Sequence, residues 1–268
     1  MTINIALFGV SGRMGRTLLA AMRDEPDLKL SGALASLSSK SLGRDAGEVG
    51  DGSPLGVKIT ADRDKALAGA NAAIDFTLAG SVPGTLHACA AHGCPLVLGT
   101  TGLSPATLVQ LRECAAQIPI LYSPNMSLGV NVMFALARTA ARALGQGFEV
   151  EVLDVHHHSK VDAPSGTALK LGENVAAGRG QDFAKVAVIA SGNAPAHARG
   201  QIVFASVREG EEVGEHRVTF TSSGESLSVT HRASDRAIYA RGALQAVRWL
   251  IGSSPGLYSM ADLISDIK

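Results

Sequence analysis

The sequence predicts an α/β protein in which an N-terminal Rossmann-like domain with a parallel sheet precedes a C-terminal α+β domain with a mostly antiparallel or mixed sheet. Three observations support this prediction. Short apolar runs alternate with helical patterns in the first half of the chain, as in parallel sheets with helical crossovers. A glycine-rich loop at residues 9–15 joins the first expected strand to the first expected helix. Residues 185–231 hold several strand patterns without helices between them, which indicates a second sheet.

The composition is that of a globular protein with a buried core. The chain has 268 residues, of which 46% are hydrophobic and 18% are charged, and this excludes a disordered or collagen-like chain. Because 24 basic residues balance 24 acidic ones, we expect no non-specific binding of nucleic acid. The cysteines, Cys89, Cys94 and Cys114, have neither disulfide nor metal-site spacing, which indicates reduced thiols in a cytoplasmic protein.

The chain is not expected to enter a membrane. No apolar run reaches the roughly 18 residues that a spanning helix needs. The N-terminus passes directly into a strand pattern without a basic region, so we also expect no signal peptide.

The elements follow from the local apolar spacing. In the first half, strands are expected over residues 3–8, 28–35, 72–76, 95–99 and 118–122. Helices are expected over residues 12–23, 62–68, 82–92 and 104–117, the last with Ser104 as N-cap and Pro105 in its first turn. In the second half, helices are expected over residues 130–144, 164–176 and 238–251, and strands over 149–157, 186–190, 201–207, 216–223 and 226–232. Linkers between domains are expected near residues 123–125 and 233–235.

The glycine loop has the context of a dinucleotide site. Its spacing is GxxGxxG, and it lies between a strand and a helix. Gly9 permits a tight turn, Gly12 lets the backbone approach a pyrophosphate, and Gly15 lets the helix pack closely on the strand. The alternative is a purely structural glycine turn, and we favour dinucleotide binding.

The residue that usually binds the adenosine ribose is absent. An acidic residue is expected about 20 residues past the glycine loop, but Ala35 and Ser36 stand there. A 2′-phosphate would meet no repulsion at this position, and it could hydrogen-bond or pair with Ser36, Ser38, Ser39 and Lys40. This favours a tolerance of NADP, although the loop could also be merely solvated.

A second glycine-containing segment follows a later strand. Gly99, Thr100, Thr101 and Gly102 lie at the carboxyl edge of the expected sheet, where open α/β sheets bind ligands. Small hydroxyl side chains there could contact a nicotinamide or its ribose. An ordinary turn before a helix is the alternative.

The densest group of reactive side chains lies at residues 156–167. Three histidines and Lys160 follow a strand, and a Pro-Ser-Gly-Thr sequence begins a helix. The N–H groups at a helix N-terminus and the hydroxyl of Thr167 suit a carboxylate, and imidazoles transfer protons near neutral pH. Structural histidines and a zinc site remain alternatives. Adjacent histidines in a strand point to opposite faces, and no ligand follows at metal spacing, so we expect no metal.

Taken together, the motifs resemble those of one enzyme family. They are GVSGRMGR at residues 9–16, DFT at 75–77, GTTG at 99–102, SPNMSLGVN at 123–131, HHHSKVDAPSGTA at 156–168, VGEH at 213–216 and THRASDR at 230–236. In these motifs, which run almost end to end, the chain is similar to the 4-hydroxy-tetrahydrodipicolinate reductase (dihydrodipicolinate reductase) family of bacterial lysine and diaminopimelate biosynthesis.

The resemblance implies an NAD(P)H-dependent oxidoreductase of the cytoplasm that reduces 4-hydroxy-tetrahydrodipicolinate to tetrahydrodipicolinate. It implies a small-molecule dicarboxylate as substrate and a homotetramer as the assembly. It also implies a dinucleotide-binding domain over residues 1–127, completed by residues 237–268, and a substrate-binding and oligomerisation domain over residues 128–236.

The resemblance also implies roles for individual residues. Carried over by position, His156 is the acid/base residue and Lys160 the proton donor. The substrate carboxylates would be held by His157, Lys160, Gly166 and Thr167. The cofactor, NADPH or NADH, would contact Gly9, Val10, Ser11, Gly12, Arg13, Met14, Ala35, Ser36, Gly99, Thr100, Thr101, Ser123, Pro124, Asn125 and Met126.

The chain departs from the family at Ala35 and Ser36, where many members carry an acid and often an arginine. This leaves open which of the two cofactors is preferred. Two other functions are alternatives to the family activity. A Rossmann reductase of another amino or semialdehyde acid would not need the 156–168 motif, and a non-catalytic NAD(P)-sensing regulator would not need the proton donors.

Overall fold

The structure, a computed structural model, describes residues 2–189, 200–211 and 213–266. The chain divides into two units. The first comprises Met1–Leu128 together with Ala237–Lys268, and the second comprises Gly129–Arg236. Ala190, which ends one of the expected strands, lies outside the described residues.

The strands and helices are numbered in chain order. The strands are β1 (Ile3–Phe8), β2 (Leu28–Leu34), β3 (Ile59–Thr60), β4 (Ala72–Asp75), β5 (Leu96–Leu98), β6 (Pro119–Tyr122), β7 (Glu149–His156), β8 (Ala187–Ile189), β9 (Ile202–Arg208), β10 (Gly214–Thr221), β11 (Ser226–Ala233) and β12 (Gly256–Tyr258). The helices are α1 (Arg13–Met22), α2 (Ala46–Val49), α3 (Arg63–Leu67), α4 (Val82–Ala91), α5 (Pro105–Ala115), α6 (Leu128–Leu144), α7 (Gly166–Arg179), α8 (Phe183–Val186), α9 (Ala237–Leu250) and α10 (Met260–Asp266). Short 3₁₀ turns span Ala79–Ser81 and Gly145–Gly147.

The first unit is built on a seven-stranded sheet in the order β12-β6-β5-β4-β1-β2-β3. All neighbouring strands are parallel. The chain winds outward from β1 in one direction and then from β4 in the other, so the strand order reverses between these two strands. In open α/β sheets, ligands bind at the carboxyl edge beside such a reversal.

Both faces of this sheet are buried because successive side chains of a strand point to opposite sides. Ile5 and Leu7 of β1 pack with residues of α1, α9 and α10. Ala6 and Phe8 pack on the other side with residues of α3, α4 and α5. The predicted Rossmann-like parallel sheet is therefore confirmed.

The second unit contains a five-stranded mixed sheet in the order β11-β10-β7-β9-β8. Strand β10 is antiparallel to both β11 and β7, whereas β7, β9 and β8 run parallel to one another. Apolar residues of α6 and α7 pack with Val150, Val152, Val218 and Phe220 of the sheet. One face of the sheet is therefore covered by helices, and the predicted mixed sheet is confirmed.

The elements expected from apolar spacing are present, with ends displaced by a few residues. Ser104 caps α5 as predicted, and its Oγ accepts a hydrogen bond from the N–H of Thr107 at 3.1 Å. The elements that the sequence did not indicate are α2, β3, α8, β12 and α10. Most of them have five residues or fewer, too short to show a helical or strand period.

None of the helices in the described part of the chain combines the length and apolar character needed to cross a membrane.

One close contact in the first unit should make a helix glycine indispensable. A Cβ atom at Gly242 in α9 would lie 1.7 Å from the carbonyl oxygen of Met126. Alanine usually stabilises a helix relative to glycine, but here we expect Gly242→Ala to lower the free energy of unfolding by about 1–3 kcal/mol. Urea denaturation measures this change.

Gly80→Ala is the matched control. A Cβ atom at Gly80 would meet no described atom within 4 Å, so its stability should stay within about 1 kcal/mol of wild type. Equal stability of Gly242→Ala and wild type would contradict the close packing of α9 on residue 126.

Candidate active site

The glycine loop forms the carboxyl end of β1. Gly9 has φ +84°, a conformation that L side chains rarely adopt. Its N–H and that of Val10 donate to the carbonyl oxygen of Leu34 at 3.0 and 3.1 Å, which holds the loop against β2. A Cβ atom at Gly15 would lie 2.3 Å from the carbonyl oxygen of Gly9. Only glycine at position 15 therefore lets α1 pack directly on the loop.

The start of α1 has backbone groups suited to an anion. Gly12 is the N-cap residue, and no described side chain makes a cap hydrogen bond there. Ser11, Gly12, Arg13 and Met14 are partly or fully exposed, whereas Val10 is buried. The first N–H groups of a helix point outward and carry the positive end of its dipole. A pyrophosphate would therefore fit at these backbone N–H groups.

The residues after β2 differ in accessibility. Ala35 is only 6% exposed, and its N–H donates to the carbonyl oxygen of Thr60 at 2.9 Å. Ser36 is exposed, and its hydroxyl lies 3.2 Å from that of Ser38. Lys40 is exposed as well. A group that binds in this region would therefore meet the side chain of Ser36 rather than that of Ala35.

A buried carboxylate joins the loops that follow β4 and β5. Asp75 is fully buried, and its Oδ1 accepts from the N–H of Thr77 at 2.6 Å and from the hydroxyl of Thr100 at 3.3 Å. Its Oδ2 has no hydrogen-bond partner among the described residues. A Cβ atom at Gly99 would lie 2.2 Å from the ring of Phe76. Asp75 and Gly99 thus shape the segment in which Thr100 is buried and Thr101 exposed.

The segment after β6 is held by its own hydrogen bonds. The hydroxyl of Ser123 donates to the carbonyl oxygen of Asn125 at 2.7 Å, and the N–H of Ser127 donates to the side-chain oxygen of Asn125 at 2.9 Å. Pro124 is exposed, whereas Met126 is only 1% exposed and belongs to the core. Ser123 and Ser127 are buried as well, so Pro124 and the half-buried Asn125 are the accessible residues of this segment.

The candidate cofactor residues therefore follow β1, β2, β5 and β6 at one edge of the sheet. This placement arises because all strands are parallel and end on the same side. The N–H groups at the start of α1 fit the binding of a dinucleotide.

In the second unit, the buried face of β7 changes from apolar to polar along the strand. Val150, Val152, Asp154 and His156 all lie on this face, and all are buried. In the sheet register, His216 stands opposite Asp154 on β10, and Arg208 stands opposite His156 on β9. Side chains alternate between the two faces of the sheet, so the face that is apolar at Val150 and Val152 carries polar side chains at the end of β7. Four polar side chains therefore lie together there.

Asp154 is the centre of this cluster. Its side chain is completely buried. Its Oδ2 accepts from the N–H of Ser165 and from Arg208, both at 2.8 Å, and its Oδ1 accepts from the hydroxyl of Ser165 at 2.7 Å. Burial by itself raises the pKa of this carboxyl. The surrounding donors outweigh burial and hold the pKa well below its ordinary value; they are His156, His216, Arg208 and Ser165.

Two imidazoles lie against this carboxylate. Nδ1 of His156 is 3.0 Å from Oδ1 of Asp154, a close polar contact that is not aligned as a regular hydrogen bond. Nε2 of His216 is 3.3 Å from the same oxygen and 3.1 Å from the hydroxyl of Ser165. The two rings meet edge to face, with centroids 5.1 Å apart. His156 is 8% exposed and His216 is 6% exposed.

Asp154, His156 and His216 are the donor types that zinc prefers, and their potential ligand atoms lie within 4.8 Å of one another. Arg208 and Ser165 already occupy both oxygens of the carboxylate, however. The guanidinium supplies the positive charge that a metal would otherwise bring. The described contacts therefore favour a carboxylate network without a metal.

The loop after β7 carries the other predicted residues. Nδ1 of His157 lies 2.7 Å from the hydroxyl of Ser159, and the ammonium of Lys160 donates to Asp162 at 2.7 Å. The hydrogen bond from Lys160 lowers the pKa of Asp162. His157 and Lys160 are half-buried, so both remain accessible to a small molecule.

Ser165 joins this loop to α7. It is the N-cap residue, and its hydroxyl accepts from the N–H of Ala168 at 3.2 Å. Gly166 and Thr167 are the first two residues of the helix, with Gly166 exposed and Thr167 half-buried. Because Ser165 also binds Asp154, the start of α7 is anchored to the buried cluster.

Several residues of the cluster had no role in the sequence-based prediction. Asp154 carries a signal, since it is a charged residue in phase with Val150 and Val152. His216 and Gly214 appear in the VGEH motif, but nothing local connects them to His156. Arg208 has no sequence signal, because its position beside Asp154 depends on the pairing of β9 with β7.

The first unit has the strand order and glycine loop of dinucleotide-binding oxidoreductases, and the second presents a polar cluster beside a helix N-terminus. Two family models match the chain: "Dihydrodipicolinate reductase, N-terminus" over residues 3–126 and "Dihydrodipicolinate reductase, C-terminus" over residues 129–264. The chain therefore belongs to the dihydrodipicolinate reductase family, as its motifs had indicated.

Curated relatives agree with this assignment. The 4-hydroxy-tetrahydrodipicolinate reductase of Anaeromyxobacter dehalogenans is 44% identical, with 97% of each chain covered. The enzyme of the same name from Alkalilimnicola ehrlichii is 43% identical, with 98% of this chain and 99% of the relative covered.

Solved structures show the same fold. A dipicolinate-bound dihydrodipicolinate reductase from Paenisporosarcina sp. TG-14 matches with a TM-score of 0.78 at 22% identity, covering 97% of this chain and 98% of that one. GenD2 from gentamicin A biosynthesis, in complex with NAD, matches with a TM-score of 0.59 at 15% identity, covering 94% and 86%.

The pairing of Arg208 with buried Asp154 should be essential for stability. Replacing Arg208 by leucine leaves the carboxylate buried without its cation, so we expect a loss of about 3 kcal/mol in the free energy of unfolding. Urea denaturation at pH 7 measures it.

Lys170→Leu is the control. Lys170 forms an exposed ion pair with Glu173 in α7, and its replacement should cost less than about 1 kcal/mol. Similar losses in both variants would show that burial of Asp154 does not depend on Arg208.

Proposed function

We propose that this protein is a 4-hydroxy-tetrahydrodipicolinate reductase of the diaminopimelate and lysine pathway. The observation that carries the proposal is the 156–168 segment of a chain that belongs to the family. There His156 lies against a buried carboxylate, Lys160 is accessible, and α7 begins at Gly166. The reaction adds one hydride and one proton to the unsaturated ring system and releases water from the hydroxylated substrate.

The first unit would hold the cofactor, which supplies the hydride when bound. The backbone of residues 9–14 would receive the pyrophosphate, because the start of α1 offers N–H groups without a described capping side chain. Ala35 and Ser36 would border the adenosine ribose. The remaining contacts would come from Gly99, Thr100, Thr101, Ser123, Pro124, Asn125 and Met126.

The second unit would hold the dicarboxylate. The Paenisporosarcina protein has dipicolinate bound, and a molecule of this class needs cations and N–H donors for two carboxylates. His157, Lys160 and the start of α7 at Gly166 and Thr167 supply them. The ammonium of Lys160 is paired with Asp162, so it would exchange or share this partner when a substrate carboxylate binds.

The proton would come from His156 or Lys160. Addition of hydride to a conjugated imine produces enamine character, which must then be protonated. Of these two donors, Lys160 stands on the accessible loop and His156 at the end of the buried cluster. We assign His156 the acid/base role and Lys160 the role of proton donor.

The proposal also includes the oligomeric state and the cellular location of the protein. We infer a homotetramer in the cytoplasm that acts on a small molecule and binds no nucleic acid. The balanced charge of the chain agrees with the last point.

A coupled assay tests the proposed activity. Pyruvate and aspartate semialdehyde are supplied to the preceding synthase, and the decrease in NAD(P)H absorbance is followed after this protein is added. We expect oxidation that depends on both the synthase and its substrates. Omission of pyruvate is the control, and an oxidation rate that is the same with and without pyruvate would reject the proposed substrate.

Replacement of Lys160 should reduce turnover. Lys160→Ala removes a cation and a proton source, so kcat should fall on the order of 10²-fold. NADPH affinity should be nearly unchanged, because Lys160 is not among the residues proposed to contact the cofactor. Steady-state kinetics and cofactor titration measure both, with Lys170→Ala as the surface control. Wild-type kcat in Lys160→Ala would remove this residue from the mechanism.

The loop after β2 should control the choice of cofactor. Since no acid stands at residues 35–36, we expect both cofactors to work, with NADPH modestly preferred. Ser36→Asp places a carboxylate on the exposed loop and should shift the preference toward NADH by roughly 1–2 kcal/mol. The ratio of kcat/KM for the two cofactors measures the shift.

Ser53→Asp is the matched control, since it adds the same charge at an exposed serine outside this loop. A wild type that strongly prefers NADH, or a Ser36→Asp variant that gains preference for NADPH, would show that the ribose does not bind here.

A further inference from the structure

We propose that Asp154 and Gly214 are positioning residues for His156: Asp154 keeps a proton on Nδ1 of the ring, and Gly214 keeps the space beside Nε2 open for the substrate. The proposal rests on the acid/base role of His156 in the proposed function. It adds the two residues that decide which ring nitrogen reacts.

The carboxylate of Asp154 cannot turn away from His156. Both of its oxygens are held, since Arg208 binds Oδ2 and the hydroxyl of Ser165 donates to Oδ1. The N–H of Ser165 also donates to Oδ2, which fixes the plane of the carboxylate. The partners come from β9 and from the start of α7, so two separate elements hold the same group.

A carboxylate held in this way selects the tautomer of the neighbouring ring. Asp154 is ionised and can only accept hydrogen bonds, because its donors hold its pKa well below the ordinary value. Nδ1 of His156 lies 3.0 Å from Oδ1. This contact is not aligned as a regular hydrogen bond, but the negative charge of the oxygen at this distance disfavours a lone pair on Nδ1 and attracts an N–H. The proton therefore stays on Nδ1.

His216 does not compete for this role. Its Nε2 lies 3.1 Å from the hydroxyl of Ser165 and 3.3 Å from Asp154. The hydroxyl of Ser165 already donates its proton to Asp154, so it accepts from Nε2 of His216. His216 thus donates to Ser165 rather than to Oδ1, and it leaves Nδ1 of His156 its contact with this oxygen.

Gly214 determines what can approach the other ring nitrogen. A Cβ atom at Gly214 would lie 2.8 Å from Nε2 of His156 and 3.2 Å from the adjacent ring carbon. Any side chain at this position would press on the ring or displace it. Glycine leaves room beside Nε2, the nitrogen that gives or takes a proton once Nδ1 is committed to Asp154.

The division of roles has a chemical consequence. In the neutral ring, Nε2 carries a lone pair and acts as a base. When the ring is protonated, Nε2 releases its proton and Nδ1 retains the one facing Asp154. The ring can therefore cycle between acid and base without rotation. Loss of the carboxylate would allow the neutral ring to place its proton on either nitrogen.

Asp154→Asn tests the first half of the proposal. The amide has one oxygen, which cannot accept from all the donors that the carboxylate binds. We expect kcat to fall about 10²-fold, as when general acid–base catalysis is lost, with KM and the affinity for pyridine-2,6-dicarboxylate little changed. In histidine-¹⁵N-labelled protein, Nδ1 of His156 should lose its N–H type chemical shift, with His156→Asn used for the assignment.

Two outcomes would overturn this half. One is an Asp154→Asn variant in which the ¹⁵N shifts of His156 stay as in wild type. The other is an unchanged kcat. A purely structural role would lower stability without changing the tautomer, so the ¹⁵N spectrum separates the two explanations.

Gly214→Ala tests the second half and does not depend on the folding of Asp154→Asn. The methyl group should lower kcat by displacing Nε2, while cofactor affinity stays as in wild type. Gly224→Ala is the matched control, because Gly224 lies in the turn between β10 and β11 and a Cβ atom there meets no described atom within 4 Å. Wild-type kcat in Gly214→Ala, or an equal loss in Gly224→Ala, would overturn the role of Gly214.

Failure of the proposed function and failure of this inference would give different results. Wild-type protein without activity in the coupled assay would reject the function, while the ¹⁵N spectrum would still report whether Asp154 holds the Nδ1 proton. Active wild type with an unchanged spectrum in Asp154→Asn would reject only the inference.

Discussion

A buried carboxylate organises the second unit. Asp154 is removed from water, and a charge in such a place is tolerated only when cations and hydrogen-bond donors surround it. Arg208 supplies the charge, and Ser165 supplies two hydrogen bonds while it also caps α7. The end of β7, the adjacent strand β9 and the start of α7 are therefore tied together by one side chain. His156 ends β7 two residues after Asp154 and on the same face, so it lies beside this anchored group.

In the first unit, backbone geometry rather than a side chain forms the candidate anion site. An anion at the start of α1 needs N–H groups that no capping side chain occupies, and Gly12 at the N-cap position supplies none. Gly9 adopts φ +84°, and Gly15 allows α1 to approach the loop more closely than any Cβ would permit. Asp75 stabilises the neighbouring loops through Thr77 and Thr100. The loop at α1 thus depends on glycine backbone, whereas a buried carboxyl group holds neighbouring loops in each of the two units.

The local pattern of apolar residues and glycines in the sequence predicted most of the fold. The strands of the parallel sheet are short and mostly apolar, and the glycine loop indicated the connection from β1 to α1. Strand β12 was missed because three residues carry no period. It forms because β6 offers an unpaired edge to the returning chain. In the candidate site, the 156–168 motif predicted His156 and Lys160. Asp154 was not predicted, although its position in the strand places it on the same buried face as two valines.

The sequence by itself determined the parallel sheet, the glycine loop, the mixed second sheet and the family, because each depends on residues close together in the chain. Only the tertiary structure decided that Arg208 faces Asp154, that His216 lies 5.1 Å from His156 and that Gly214 borders its ring. These relations depend on the register between strands separated by about fifty residues or more. Register is set by packing across the whole sheet, and no local spacing encodes it.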